Sequence, residues 1–134
     1  MQESIEVADA MLNFYDRLSA NDVASFERIV STHPATVVVG TAPGERVTER
    51  DRLRFGFETE GVSMETGGAI GYEEGSMGWV LDEPTMYLPD GSGIKTRLTG
   101  VFHREGEAWM LVHMHVSVGV PDEEVVDLQK RWLS

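Results

Sequence analysis

The sequence predicts an α+β fold, in which about three N-terminal helices pack against a curved, cone-shaped antiparallel sheet and a short C-terminal helix follows. Three observations carry this. Apolar residues recur at helical spacing in three segments before Gly67, at Ile5–Leu18, Val23–Val30 and about Glu49–Glu58, and after Gly67 the pattern turns to short strands divided by turn residues. No repeat, linker or low-complexity tract interrupts the 134 residues. Helices first and strands afterwards is the α+β order, and the length suits one domain, 1–134, with a sizeable core.

The elements follow from local chemistry. Val7, Ala8, Met11, Leu12, Phe14, Tyr15 and Leu18 form one stripe of a first helix, Ile5 to Leu18. Asn21 is placed to cap a second helix with Val23, Phe26, Ile29 and Val30 on one side, and Pro34 stops it. Thr36 to Val39 reads as a buried strand ending at Gly40. Thr48 and Asp51 have capping-box spacing for a third helix, about Glu49 to Glu58, which buries Leu53 and Phe57. Strands are expected at Ala69–Glu74, Met77–Leu81, Thr85–Leu88, Ile94–His103 and Trp109–Val118, with turns at Asp90–Gly93 and Glu105–Gly106. Pro121 opens an amphipathic helix carrying Val125, Leu128 and Trp132.

Composition excludes several function classes. There is no cysteine, so disulfides, thiol nucleophiles and thiolate metal sites are absent. A formal charge of −12, from 23 acidic against 11 basic residues, repels nucleic acid and anionic membranes. The N-terminus has neither the basic start nor the apolar run of a signal peptide, and no stretch approaches a membrane span, so a cytoplasmic location is expected.

The last strand holds the most informative pattern. Strand side chains alternate between faces, which gathers Trp109, Leu111, His113, His115 and Ser117 on one side and Met110, Val112, Met114 and Val116 on the other. Folding Ile94–His103 back as a hairpin, with His103 beside Trp109, sets Thr99 beside His113 and Arg97 beside His115. If this polar face lines the cone, the two imidazoles lie roughly 7 Å apart and can move protons. Arg97 can then hold an anionic or carbonyl oxygen. Ser117 and Thr99 would orient the substrate, with Trp79, Tyr15 and Phe14 as apolar walls. His33, before Pro34, reads as structural. No third ligand completes a metal site around the two histidines, and no nucleophile elbow or phosphate loop is present.

The residues His33-Pro34, Val37 to Thr41, Gly78 to Val80, Arg97 to Phe102 and Trp109 to Ser117, in this order and spacing, resemble the nuclear transport factor 2-like superfamily, and within it the SnoaL-like domains. The final block is also similar to the association domain of calmodulin-dependent kinases, although Val116 stands where that domain has an Arg, so anion binding there is not carried over. No counterpart of the Tyr/Asp pair of the ketosteroid isomerase branch is evident in the sequence. The resemblance implies the cone fold and a pocket between sheet and helices, and it spans enzymes, binders and assembly modules alike.

The expected function is therefore small-molecule binding in that pocket, with no cofactor and no metal. A lyase, isomerase or cyclase would use His115, His113 and Arg97. An assembly module would instead use the outer sheet face, through which a homodimer is expected in any case. The face of the last strand that meets the helices separates these readings.

Overall fold

The computed structural model describes residues 1–133. Strand β1 (Gln2–Glu3) precedes helix α1 (Ile5–Ser19), then a 3-10 turn (Val23–Ser25) runs into the single-turn helix α2 (Phe26–Ile29). Strands β2 (Val37–Val39) and β3 (Arg46–Val47) lead to α3 (Arg50–Glu58). Then come β4 (Ser63–Glu65), β5 (Ile70–Glu74), β6 (Met77–Asp82), β7 (Thr85–Tyr87) and β8 (Gly93–Lys95). The long strands β9 (Arg97–Glu105) and β10 (Ala108–Ser117) precede α4 (Asp122–Leu133). No helix among the described residues is long and apolar enough to cross a membrane.

Helix α1 forms where its stripe and its cap agree. Ser4 Oγ accepts from Val7 N at 3.2 Å and donates to Glu73 at 2.6 Å, so one hydroxyl starts the helix and fixes it to β5. Val7, Met11, Phe14, Tyr15 and Leu18 are buried against the sheet. Each such side chain contributes about 1.5–3 kcal/mol.

Two expected caps are replaced by other contacts. Asn21 adopts a left-handed φ of 53° and its amide donates to the carbonyls of Phe57 and Thr59, tying the end of α1 to the end of α3. The Thr48/Asp51 box is not formed: Glu49 precedes α3, and Asp51 pairs with Arg54 on the same helix at 3.0 Å.

The main sheet has the order β1-β5-β6-β9-β10-β2-β3, and β4-β7-β8 form a smaller second sheet. The expected strand over Thr85–Leu88 thus belongs to the second sheet. The expected strand Ile94–His103 divides at Thr96, whose N–H and hydroxyl both donate to the Pro84 carbonyl. All pairings are antiparallel except β2 on β10, which is parallel and makes the sheet mixed.

One irregularity decides which side chains face the helices. Leu111 pairs with Phe102 but His113 pairs with Val101, leaving Val112 as the extra residue of a bulge. The hairpin register is therefore Trp109 with Arg104, His113 with Val101, His115 with Thr99 and Ser117 with Arg97, and not the register expected from an unbroken strand. Before the bulge Leu111 points to the core; after it Met114 and Val116 do, and all three are buried. Met114 and Val116 thus share the helix side with Leu98, Gly100, Phe102 and Val80.

The helix side accommodates α1 by close approach. A Cβ at Gly71 would lie 2.6 Å from Ala8 N and 2.7 Å from Ser4 O, both backbone atoms of the α1 start. A Cβ at Gly100 would lie 2.7 Å from Met11 Sδ. Only glycine lets the helix settle on the sheet at these two points.

Candidate functional site

A cavity of about 600 Å³ opens between α1, α3, the β2–β3 edge and β10. Phe14 and Leu18 come from α1, Leu53 and Phe57 from α3, Val38 and Val47 from β2 and β3, and Leu111 and Met114 from either side of the bulge. Its size falls within the usual range for small-ligand sites. Its polar side chains are Glu45, Asp51 and Arg52, and all three are exposed, so they border the cavity's mouth.

Helix α3 is held as the outer wall by a cationic clamp. Arg50 donates to the carbonyls of Ser31 at 2.7 Å and Val30 at 2.9 Å and pairs with Glu27, which also takes Arg54. Both guanidiniums lie over the Phe26 ring, at 4.7 and 5.1 Å. Hydrogen bonds from Arg50 and Arg54 hold the Glu27 carboxyl below the usual carboxylate range. Phe57 then meets both Phe14 and Phe26 edge to face. The aromatic back wall is fixed before any ligand arrives.

Of the residues expected to line the pocket, Phe14 lies on this cavity and the others do not. Arg97, Thr99, His113, His115 and Ser117 do come together, but on the sheet face opposite the helices, because Val112 inverts the alternation ahead of His113. His115 and Thr99 sit directly opposite each other, and Arg97 Nε donates to Ser117 Oγ at 3.3 Å. Neither the His113 nor the His115 imidazole makes a hydrogen bond among the described residues. The face pairing Thr99–His113 and Arg97–His115 is thus corrected by two residues, and the polar set by one whole side of the sheet.

Trp79 shares this open face, stacked on Tyr72 with ring centroids 4.8 Å apart. Ile70, Met77 and Leu81 surround the pair and are about half exposed, at 47%, 44% and 51%. Val101, Val37 and Val39 continue the row beside the two histidines. The expected apolar outer row of Met114 and Val116 is therefore replaced by one drawn from β5, β6, β9 and β2.

Tyr15 is buried in the core and donates to Asp82 at 2.9 Å. Asp82, 2% exposed, also accepts from the Thr66 hydroxyl and from the backbone N–H groups of Gly67 and Glu83. Burial, then the Asp82 carboxylate, push the Tyr15 phenol far above its usual range. A Tyr/Asp pair thus exists in this chain, and the sequence reading missed it because nothing near Asp82 marks it as buried. Four donors saturate the carboxylate, and neither residue reaches the cavity, so the pair joins α1 to β6 and to the turn after β4. His33 is structural in geometry: its Nδ1 accepts from Ala35 N at 3.0 Å. No group of three or more His, Asp or Glu side chains among the described residues is arranged to hold a metal ion.

A curved mixed sheet wrapped on N-terminal helices, with an apolar cavity between them, defines an α+β cone of the NTF2-like kind. The SnoaL-like domain profile matches residues 7–121, and the chain belongs to that family. A search of curated proteins finds no match. Among solved structures, a candidate dehydratase of the NTF2-like family from Streptomyces avermitilis is similar over 87% of this chain and 95% of its own, at 19% identity and a TM-score of 0.72. A candidate calcium/calmodulin-dependent protein kinase II association domain from Xanthomonas campestris covers 91% of each chain at 18% identity and a TM-score of 0.73. The association domain of the Caenorhabditis elegans kinase covers 82% of this chain and 91% of its own at 16% identity and a TM-score of 0.65. These likenesses show the fold.

Proposed function

We propose that this chain, as one domain in the cytoplasm, binds a small apolar molecule in the cavity between α1, α3 and β10, without transforming it, and acts as a homodimer through the open sheet face. The cavity wall carries the proposal: its deep side chains are aliphatic and aromatic, and its charged ones stand in water at the mouth. Acid–base catalysis needs a titratable group within hydrogen-bond reach of the substrate, and no side chain of the deep wall is one. Affinity would come from apolar burial and shape.

The homodimer is supported by the open face. Ile70, Met77, Trp79 and Leu81 form a contiguous apolar area of the kind that marks interaction sites. The fold likeness to association domains agrees with assembly; on this surface His113, His115, Arg97, Thr99 and Ser117 would be contact residues. The alternative reading, a lyase, isomerase or cyclase that uses His115, His113 and Arg97, requires the substrate on that same open face.

One experiment separates them. Calorimetric titration with 2-naphthol as an apolar probe should give saturable binding that Leu53→Trp weakens at least tenfold by filling the cavity, and that His115→Asn leaves unchanged. Loss of binding on His115→Asn with Leu53→Trp unaffected would overturn the cavity reading and favour the open face as the ligand site.

A further inference from the structure

Helix α4 is amphipathic and finished on one side only. The family match ends at residue 121, and α4 begins at Asp122. Val125, Leu128 and Trp132 share one stripe, flanked by Val126 and Leu133 on the same broad arc. Yet no residue of α4 is buried, and Val126, Trp132 and Leu133 are 58%, 59% and 84% exposed. Isolated helices of this length are marginal in water and draw their stability from packing of the apolar side. Among the described residues Val125 and Leu128 are half-buried, while Val126, Trp132 and Leu133 are left largely uncovered.

Charge narrows what does. Glu123, Glu124 and Asp127 occupy the polar arc, which disfavours an anionic bilayer or a nucleic acid as the surface beneath the stripe. Along its axis the helix is polarised: Asp122, Glu123 and Glu124 fill the first turn and Lys130 and Arg131 the last. A second α4 running antiparallel lays each acidic end on the other's basic end, whereas a parallel one sets three carboxylates against three. A two-fold axis across the helix gives the antiparallel arrangement directly, because such an interface is self-complementary.

We infer that α4 pairs antiparallel with α4 of a second copy of this chain, with Val125, Leu128 and Trp132 at the seam and Lys130 against the partner's acidic first turn. This interface is separate from the open sheet face and does not depend on it.

The absence of cysteine makes disulfide mapping clean. Full antiparallel overlap of Asp122–Leu133 brings Asp122 of one copy beside Leu133 of the other, and both positions lie on the apolar arc. Two single variants of the full chain, Asp122→Cys and Leu133→Cys, are oxidised alone and mixed. The mixture should yield the heterotypic disulfide at least tenfold above either homotypic one, and Leu128→Asp added to both should reduce it to background. Three results would overturn the inference: a homotypic Asp122→Cys disulfide as strong as the mixed one, which signals parallel pairing; no disulfide in any sample, which signals a different partner; and loss of the mixed disulfide when Trp79→Arg disrupts the sheet face, which makes the proximity of the helices a by-product of the sheet-face dimer.

Discussion

The two faces of the same five-residue stretches of β5, β6 and β9 are built to different ends. The helix side carries glycine where α1 must approach closely, and Val80, Leu98 and Phe102 where it leaves room; these three are 0–1% exposed. The open side carries the larger residues, Tyr72, Trp79, Met77 and Leu81, and no helix covers them. One face is completed within a single chain and the other is not. The difference teaches that chemistry-bearing residue types do not identify a ligand site by themselves: here the histidines lie on the face without a cavity, and the cavity is lined by ordinary apolar residues.

The comparison breaks most readily on the completed side. Asp82→Ala leaves the Tyr15 hydroxyl, the Thr66 hydroxyl and two backbone N–H groups without their shared acceptor. We expect a loss of about 3–4 kcal/mol in urea unfolding, the scale for removing one partner from a buried polar network. Gly71→Val comes next. Its side chain meets the backbone of Ala8 and Ser4, which cannot rotate away, so α1 must lift. A loss of about 2–3 kcal/mol is expected, with weaker probe binding because Phe14 and Leu18 of α1 line the cavity.

How far the sequence foretold these two faces depends on the length of the signal. Helix α1 was legible because its stripe repeats over four turns, and β5, β6, β7, β9 and β10 because turn residues punctuate them; β8 reads as the start of β9, since no turn residue stands between Lys95 and Arg97. Helix α3 was legible as an element that buries Leu53 and Phe57, but nothing in the pattern distinguishes a residue that lines a cavity from one that fills a core. Strands β3 and β4, two and three residues long, lie below the length at which alternation is detectable. The parallel pairing of β2 with β10 joins segments more than seventy residues apart, and no local pattern encodes it. The bulge is the costliest omission. Val112 ends an apolar run, Trp109 to Val112, in which nothing marks one residue as extra, so its place in the ladder leaves no trace in composition while it moves His113, His115 and Ser117 to the other side.

At the hairpin end of β9, Glu105 is a carboxylate whose contribution depends on pH. Glu105 accepts from Ser31 Oγ at 2.6 Å and faces His103 Nδ1 at 3.2 Å, and the Ser31 hydrogen bond is the first cause that holds its carboxyl below the usual range. A depressed folded value means that the ionised form is the one stabilised. The contribution is therefore complete above the ordinary carboxylate range, and it is lost as pH falls through the lowered value. Glu105→Gln should cost about 1 kcal/mol at pH 7, a hydrogen bond to a charged group discounted for partial exposure. The gap to the unsubstituted chain should close steadily below about pH 4. A gap that stays constant down to pH 3 would mean that the carboxylate charge plays no part.

The smallest effect on a single chain should come from the open side, and it is the sharpest test of the contrast. Trp79 stacks on Tyr72 and its Nε1 lies 3.3 Å from Met1 Sδ. Its neighbours across the ladder, Tyr72 and Val101, are themselves part-exposed, and no core residue depends on it. Trp79→Arg should thus change the unfolding free energy of the monomer by about 0.5 kcal/mol or less, as surface substitutions do. In a face-to-face dimer the same guanidinium would be pressed into the partner's apolar patch, and Glu74, the carboxylate one pair along the ladder on this face, already pairs with the Met1 ammonium. Burying an unpaired cation costs several kcal/mol, enough to weaken association by a hundredfold or more. Sedimentation velocity across a concentration series reads the association, and urea unfolding at the dilute end reads the monomer. A variant that loses several kcal/mol as a monomer would show that the open face is part of the core after all. One that keeps both stability and association unchanged would remove this face from the interface.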